Sequence, residues 1–167
     1  MIYSNKLLSV RSWQSGDESY LALNANNKNI SDAMPSKFPH PYTYDDAVYW
    51  IKHNKNKLQQ NNFAVIYDNE PVGNIGFAKG KVQNQHTGNI TIWIGKEYWK
   101  KGIASEVINF FTGYCFNKFG VKKLYVKTSF DNKRAISLFN RTGFKKENIF
   151  VKNNNISDEL IFSLSQK

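Results

Sequence analysis

The 167-residue chain has a single cysteine, Cys115, so neither an intramolecular disulfide nor a cysteine-cluster metal site can form. Prolines are few, and Pro35, Pro39 and Pro41 fall together between Ser31 and Tyr42, marking that stretch as a loop. Arginine is scarce: Arg11, Arg134 and Arg141 are the three among 23 basic residues. Base and phosphate readers favour arginine forks, so direct nucleic-acid binding is not expected. No apolar run approaches the ~18 residues of a membrane span. The start, Met1-Ile2-Tyr3-Ser4-Asn5-Lys6, lacks the apolar stretch of a signal peptide. No membrane partner is expected, and a reducing cytoplasmic setting is the simplest reading. No His, Asp or Glu cluster has metal-ligand spacing, so no metal is expected.

The formal net charge is +10, carried mostly by lysines scattered among asparagines. That mixture is what an AT-rich coding sequence produces, and it reads first as solvated surface, with an anionic ligand drawn in by the field as the alternative. Aromatic residues make up 15 % of the chain, which excludes a disordered polar chain. The length suits one domain, taken as residues 1–167, with a core large enough to need no covalent staples.

Leu7 to Trp13 reads as a first strand. Ser15 and Glu18 have capping-box spacing and predict a short helix carrying Tyr20, Leu21 and Leu23. Thr43 with Asp45 and Asp46 caps a second helix that buries Ala47, Trp50, Ile51 and Leu58. Phe63–Tyr67 runs into a turn at Asp68-Asn69-Glu70-Pro71, Val72–Phe77 returns, and Asn89–Ile94 alternates at period two, which together make a meander. From Gly102 to Phe119 the apolar spacing becomes helical, ending at Gly120. Val121–Thr128 is a strand, Asp131 or Asn132 caps a helix through Phe139, and Phe144–Val151 and Asp158–Leu164 close the chain as strands around an Asn153-Asn154-Asn155 turn. The order predicts an α+β layer with a strand–helix–strand crossover in its second half.

The most informative stretch runs from Ile92 to Glu106, where a strand ends in a basic turn that leads straight into the long helix. The first amides of a helix have no intrahelical acceptor, and the dipole places about half a positive charge there. Gly102 lacks a Cβ, Ala104 and Ser105 are small, and Lys100 and Lys101 add mobile charge. This is an anion cradle built mainly from backbone. It has neither the Lys-Ser/Thr ending of a P-loop nor a G-x-G-x-x-G run, which disfavours a nucleotide triphosphatase or a Rossmann dehydrogenase.

These residues resemble the GNAT superfamily of N-acetyltransferases. Trp99-Lys100-Lys101-Gly102-Ile103-Ala104 matches its pyrophosphate loop, [QR]-x-x-G-x-[GA], with Trp where Gln or Arg is common. Tyr98 to Val107 is similar to the Y-W-G-K-G-Y-A-T-E-A run of the Rim-type, ribosomal-protein N-terminal branch. Asn132 to Phe144 resembles the N-x-x-A-I-x-L-[YF]-x-[KR]-x-G-F block, and Arg11-Ser12-Trp13 and Phe38 to Ala47 also fit that branch. The resemblance implies the α+β GNAT fold: a mixed, mostly antiparallel sheet of about seven strands, splayed at the centre, with four helices.

It also implies acetyl-CoA as co-substrate and an amine as acceptor. The amides around Lys101 to Ser105, through Gly102, Ile103 and Ala104, would hold the pyrophosphate. The pantetheine arm would pair with the backbone of Ile92, Trp93 and Ile94, and one amide, at Trp93 or Ile94, would face the thioester oxygen. Such a donor contributes about 3 kcal/mol when aimed at the developing oxyanion. Asn132 would bond the pantetheine, and Ile136 and Phe139 would line its wall. Lys100, Lys101, Lys133 and Arg134 are candidates for the adenosine phosphates, and His40 and Tyr42 for the acceptor pocket.

The expected acid and base are missing. The meander position where the branch carries Glu is Asn89, and the position of the family's tyrosine acid is Phe139. Asn89, Trp93 and Ser129 are the catalytic candidates that remain, with Asp131, Glu147, Tyr42 and His40 as substitutes, and Cys115 reads as core. A thiolate with a pKa of ~8.5 leaves without much help, and water can take the amine proton. The readings left open are a peptide N-terminal acetyltransferase, a small-molecule (antibiotic or polyamine) acetyltransferase, and a CoA-binding module without turnover. Strand edges in this superfamily often form homodimers, which the sequence allows.

Overall fold

The computed structural model describes residues 1–34, 38–55, 61–80, 86–147 and 159–166. In chain order its elements are β1 (Tyr3–Ser4), β2 (Leu8–Ser12), α1 (Glu18–Ala25), α2 (Lys28–Ala33), α3 (Tyr44–Lys55), β3 (Asn62–Tyr67), β4 (Glu70–Lys79), β5 (Thr87–Ile94), a 3-10 turn (Lys96–Tyr98), α4 (Ile103–Phe119), β6 (Lys123–Ser129), α5 (Lys133–Arg141), β7 (Lys145–Lys146) and β8 (Glu159–Ser165). The strand order is β1-β2-β3-β4-β5-β6-β8-β7. β5 and β6 run parallel, whereas β1–β2, β2–β3, β3–β4, β6–β8 and β7–β8 are antiparallel.

This is the expected α+β architecture with one more strand and one more helix. β1 is a two-residue edge strand, too short for any periodicity to announce. α2 falls partly in the stretch that reads as a loop. It forms because the Asn27 side chain accepts from the Asn29 amide at 3.0 Å and because Ile30 is buried. The Ser15–Glu18 capping box does not form. Asp17 is the N-cap residue, without a side-chain cap bond, because its carboxylate forms a two-pronged pair with the Arg11 guanidinium at 2.7 and 2.9 Å. Of Tyr20, Leu21 and Leu23 only Leu21 is buried.

The chain divides into two compact units, Met1–Gly76 with Ile92–Val107, and Phe77–Thr91 with Ile108–Lys167. β4, β5 and α4 each contribute residues to both.

In the first unit, Trp13, Leu21, Ile51, Ile66 and Trp93 belong to one buried cluster. The Trp13 indole N–H donates to Asn74 Oδ1 at 3.0 Å, which satisfies its polar atom inside the core. α3 starts as predicted. Thr43 Oγ1 accepts from the Asp46 amide, and the Asp46 carboxylate accepts from the Thr43 amide and hydroxyl. The β3–β4 turn takes two residues, Asp68 and Asn69, both left-handed at φ 51° and 66°. Pro71, expected in the turn, lies in β4, where the register shifts between Val65↔Gly73 and Ile66↔Pro71 and the bulge tolerates a proline. At Gly73 a Cβ would stand 2.4 Å from the Trp93 carbonyl oxygen, so only glycine lets β4 lie this close to β5 there.

In the second unit, Ile108, Phe111, Cys115, Leu124, Val126 and Phe162 are buried, and Phe77 stacks on Phe119 at 4.2 Å. The predicted burial of Leu58, the Asn153-Asn154-Asn155 turn and the far part of the Phe144–Val151 strand lie outside the described residues. No helix among the described residues is long and apolar enough to cross a membrane.

Candidate functional site

The approach to α4 is built in the first unit. After the 3-10 turn, Trp99 is extended, Lys100 is left-handed at φ 64°, and Gly102 is left-handed at φ 80°. The sequence offered no sign of the Lys100 conformation. Alternating backbone hands of this kind turn successive amides toward one concavity, a known anion-binding shape. The Ser105 and Glu106 amides close onto the Gly102 carbonyl at 3.0 and 3.2 Å. The amides of Lys100, Lys101, Gly102, Ile103 and Ala104 have no acceptor among the described residues. The open amide set thus lies one residue earlier than expected, and Ser105 drops out because its amide already serves the helix. A Cβ on Gly102 would meet no protein atom within 4 Å, so packing does not demand this glycine; the backbone conformation does.

Side chains hold the loop from behind. The Trp99 indole N–H donates to the Ile94 carbonyl at 2.7 Å. That bond gives the tryptophan at the consensus Gln/Arg position a physical role, and it engages one of the carbonyls expected to pair with pantetheine. The Lys101 Nζ lies 5.0 Å from the Tyr98 ring centroid and 5.6 Å from that of Tyr67, a cation–π arrangement. Tyr98 donates to Glu70 at 3.1 Å, and burial together with that bond raises its phenol above the ordinary value. Tyr67, Tyr98 and Glu70 were not read as functional. The only signal for them was the Tyr98-Trp99 pair itself.

On β5, Asn89 is exposed, and its amide side chain cannot serve as the base that the expected glutamate would. The Trp93 side chain is 8 % exposed and belongs to the core, so any catalytic part falls to its backbone. Buried positions fall at Gly88 and Ile90 but then at Trp93, a change of phase such as one extra residue produces. Tyr42, assigned to an acceptor pocket, is 6 % exposed, and burial pushes its phenol well above the ordinary range. Its ring lies 5.1 Å from Phe38, which in turn lies 6.2 Å from Trp93. Tyr42 is a core residue here, whereas His40 is exposed.

In the second unit the parallel ladder pairs Thr87, Gly88 and Asn89 with Lys123, Leu124 and Tyr125, and ends there. β6 continues to Ser129 paired with β8. From Val126 onward, β6 therefore has no ladder partner on its β5 side among the described residues. Asn132 caps α5, its Oδ1 accepting from the Ala135 amide at 3.2 Å. Lys133 and Arg134 lie exposed in the first turn of α5. Phe139, expected on the cofactor wall, is 4 % exposed and packs on Phe144 and Phe162. The Ser129 hydroxyl bonds to the Asp131 carboxylate. Glu147 accepts from Lys123 at 2.7 Å and from Ser163, contacts that hold its carboxyl below the ordinary value and occupy it. Cys115 is fully buried, and burial pushes its thiol up, which removes it as a nucleophile.

A family model for the acetyltransferase (GNAT) domain matches residues 8–145, and the chain belongs to that family. It is 26 % identical over 149 residues, 88 % of this chain and 84 % of the relative, to a spermidine N(1)-acetyltransferase of Vibrio cholerae. It is 28 % identical over 108 residues, 62 % of this chain, to the uncharacterized N-acetyltransferase p20 of Bacillus licheniformis, and spans 59 % of that relative's length. Among solved structures, RimL, a ribosomal L7/L12 alpha-N-protein acetyltransferase in complex with coenzyme A, superposes with a TM-score of 0.79 at 15 % identity, over 98 % of this chain and 97 % of that one.

Proposed function

We propose that the protein is an acetyl-CoA-dependent N-acetyltransferase that delivers acetyl to a primary amine, a peptide N-terminus or a small-molecule amine. The observation that carries this reading is the run of acceptor-free amides from Lys100 to Ala104, at the head of a 17-residue helix in a chain of this family. The donor set fits a diphosphate: main-chain N–H groups, two left-handed residues and open space over Gly102. Acetyl-CoA would supply an activated acyl thioester. The residues Lys100 to Ala104 of the first unit would bind its pyrophosphate, and Ile92 and Trp93 would offer strand backbone to its pantetheine arm; taken by itself, the second unit offers the Asn132 amide nitrogen, whose oxygen caps α5, as a pantetheine donor. Exposed Lys133 and Arg134 would meet the adenosine phosphates.

Acetyl transfer forms a C–N bond and breaks a C–S bond, and the amine must lose a proton. With Asn89 at the base position and Glu147 paired, that proton passes to water. Ser129, beside Asp131, is the hydroxyl nearest in sequence to Asn132 that could take part in such a relay. Cytoplasmic action and a homodimer accord with this reading.

The acceptor class stays with the two amine types named by the relatives, spermidine and a protein N-terminus. A second reading, a CoA-binding protein without turnover, is favoured by one observation, the absence of both expected proton carriers at Asn89 and Phe139. A thiol-release assay with acetyl-CoA against peptides, polyamines and aminoglycosides decides between the two. Release with one amine class supports the enzyme. CoA binding without release from any class supports the second reading.

A further inference from the structure

The first turn of α4 carries a carboxylate that the proposed chemistry does not use. Glu106 follows Gly102 by one helical turn, and its own amide bonds to the Gly102 carbonyl at 3.2 Å. Its side chain reaches the amino-terminal hairpin. Glu106 Oε1 accepts from the Tyr3 hydroxyl at 2.6 Å and also from the Asn5 side-chain amide. The contact with Glu106 raises the Tyr3 phenol above its ordinary value. Asn5 is itself built into the β1–β2 turn. Its Oδ1 accepts from the Leu7 and Leu8 amides at 3.0 and 2.8 Å, its backbone amide donates to the Leu8 carbonyl at 2.8 Å, and its Nδ2 donates to the Tyr3 hydroxyl at 3.3 Å. The carboxylate is therefore tied to a turn that has little freedom of its own.

A helix start frays unless something fixes it, and the open amides keep their directions only while the first turn keeps its place. Burial of Ile103 fixes that turn from one side, and Glu106 ties it by hydrogen bonds to Tyr3 and Asn5, far away in sequence. As an isolated charge it would serve the cofactor badly, because a carboxylate one turn from a diphosphate repels it. Its value lies in the link.

We infer that Tyr3 and Asn5 are positioning residues for the pyrophosphate loop, acting through Glu106. This rests on the cofactor assignment proposed above. The two ways of reading Glu106 predict different series. As a link, Glu106→Gln keeps an acceptor oxygen for Tyr3 and Asn5 and removes the repulsive charge, so it binds CoA as well as the native chain or more tightly. Glu106→Ala and the double variant Tyr3→Phe, Asn5→Ala lose the link and bind about fivefold to tenfold more weakly, as expected for two exposed hydrogen bonds to a charge. As a helix-dipole charge alone, Glu106→Gln and Glu106→Ala behave alike.

The test is calorimetric titration of CoA into the full chain and the three variants, with melting curves taken without CoA. Melting temperatures within a few degrees of one another, with affinity retained in Glu106→Gln and lost in the other two, support the link. Native affinity in the double variant overturns it, as does equal loss in Glu106→Gln and Glu106→Ala. Loss of affinity that tracks a collapse in melting temperature also overturns it, since the residues would then be structural only. A native chain that fails to bind CoA overturns the cofactor assignment first, and this inference with it.

Discussion

The two units differ most in charge. The first has ten basic and nine acidic residues, the second thirteen basic and four acidic. The loop proposed to hold a diphosphate belongs to the first, nearly neutral unit. The Lys101 ammonium lies 5.0 and 5.6 Å from two tyrosine ring centroids. The proposed anion recognition in that unit relies on main-chain amides, which are fixed in direction and lose no side-chain entropy on binding. In the second unit the excess of lysine acts as a field that reaches a Debye length of roughly 8 Å at physiological salt. The comparison separates two sources of positive potential: oriented main-chain amides in the first unit and lysine charge in the second.

The sharpest way to break this comparison is Gly102→Glu. It forces a side chain into φ 80° and sets a carboxylate over the open amides. CoA affinity should fall beyond detection by calorimetry while circular dichroism stays native. Unchanged affinity would remove the backbone from the account. In the second unit, Asn132→Ala should weaken CoA several-fold and also lower stability by about 1 kcal/mol through loss of the α5 cap. Asn132→Asp keeps the cap, so denaturant melts and titrations on the pair separate the two roles. Asn89→Glu should raise turnover a few-fold by supplying a base, read as initial rate of thiol release against pH; a flat result would show that water suffices.

The smallest effects concern acid. Asp46 in the first unit and Glu147 in the second both have lowered carboxyl values, from Thr43 hydrogen bonds and from Lys123 and Ser163 respectively. A lowered folded value contributes stability above the ordinary carboxylate range, and that contribution is lost as pH falls through the lowered value. Melting curves from neutral pH down through the ordinary carboxylate range should show both Thr43→Ala and Glu147→Gln losing part of the native acid sensitivity. The loss should be small for Glu147, since exposed ion pairs contribute little.

Much of the fold was legible from apolar spacing and run length. β6 alternates at period two and α4 has helical spacing, β3 and β4 are largely apolar runs buried along most of their length, and Thr43–Asp46 announced the start of α3. What was not legible depended on partners distant in sequence. Ser15 and Glu18 have the right spacing for a cap, yet Arg11 takes the Asp17 carboxylate instead. Phe139 and Tyr42, expected beside ligands, are both buried, and the burial of an aromatic ring depends on packing partners that motif and loop position do not reveal. The left-handed Lys100 was invisible, since nothing about lysine predicts a positive φ.

By itself the sequence determined most of the long elements and their order, the motif Trp99 to Ala104 and the presence of asparagine at position 89, because periodicity, residue chemistry and spacing are local properties. Only the tertiary structure decided which of those residues are available. It placed the Lys101 ammonium near Tyr67 and Tyr98, turned the Trp99 indole to Ile94 and left the Lys100 to Ala104 amides without an acceptor among the described residues, because the partners of a hydrogen-bonding group depend on neighbours distant in sequence.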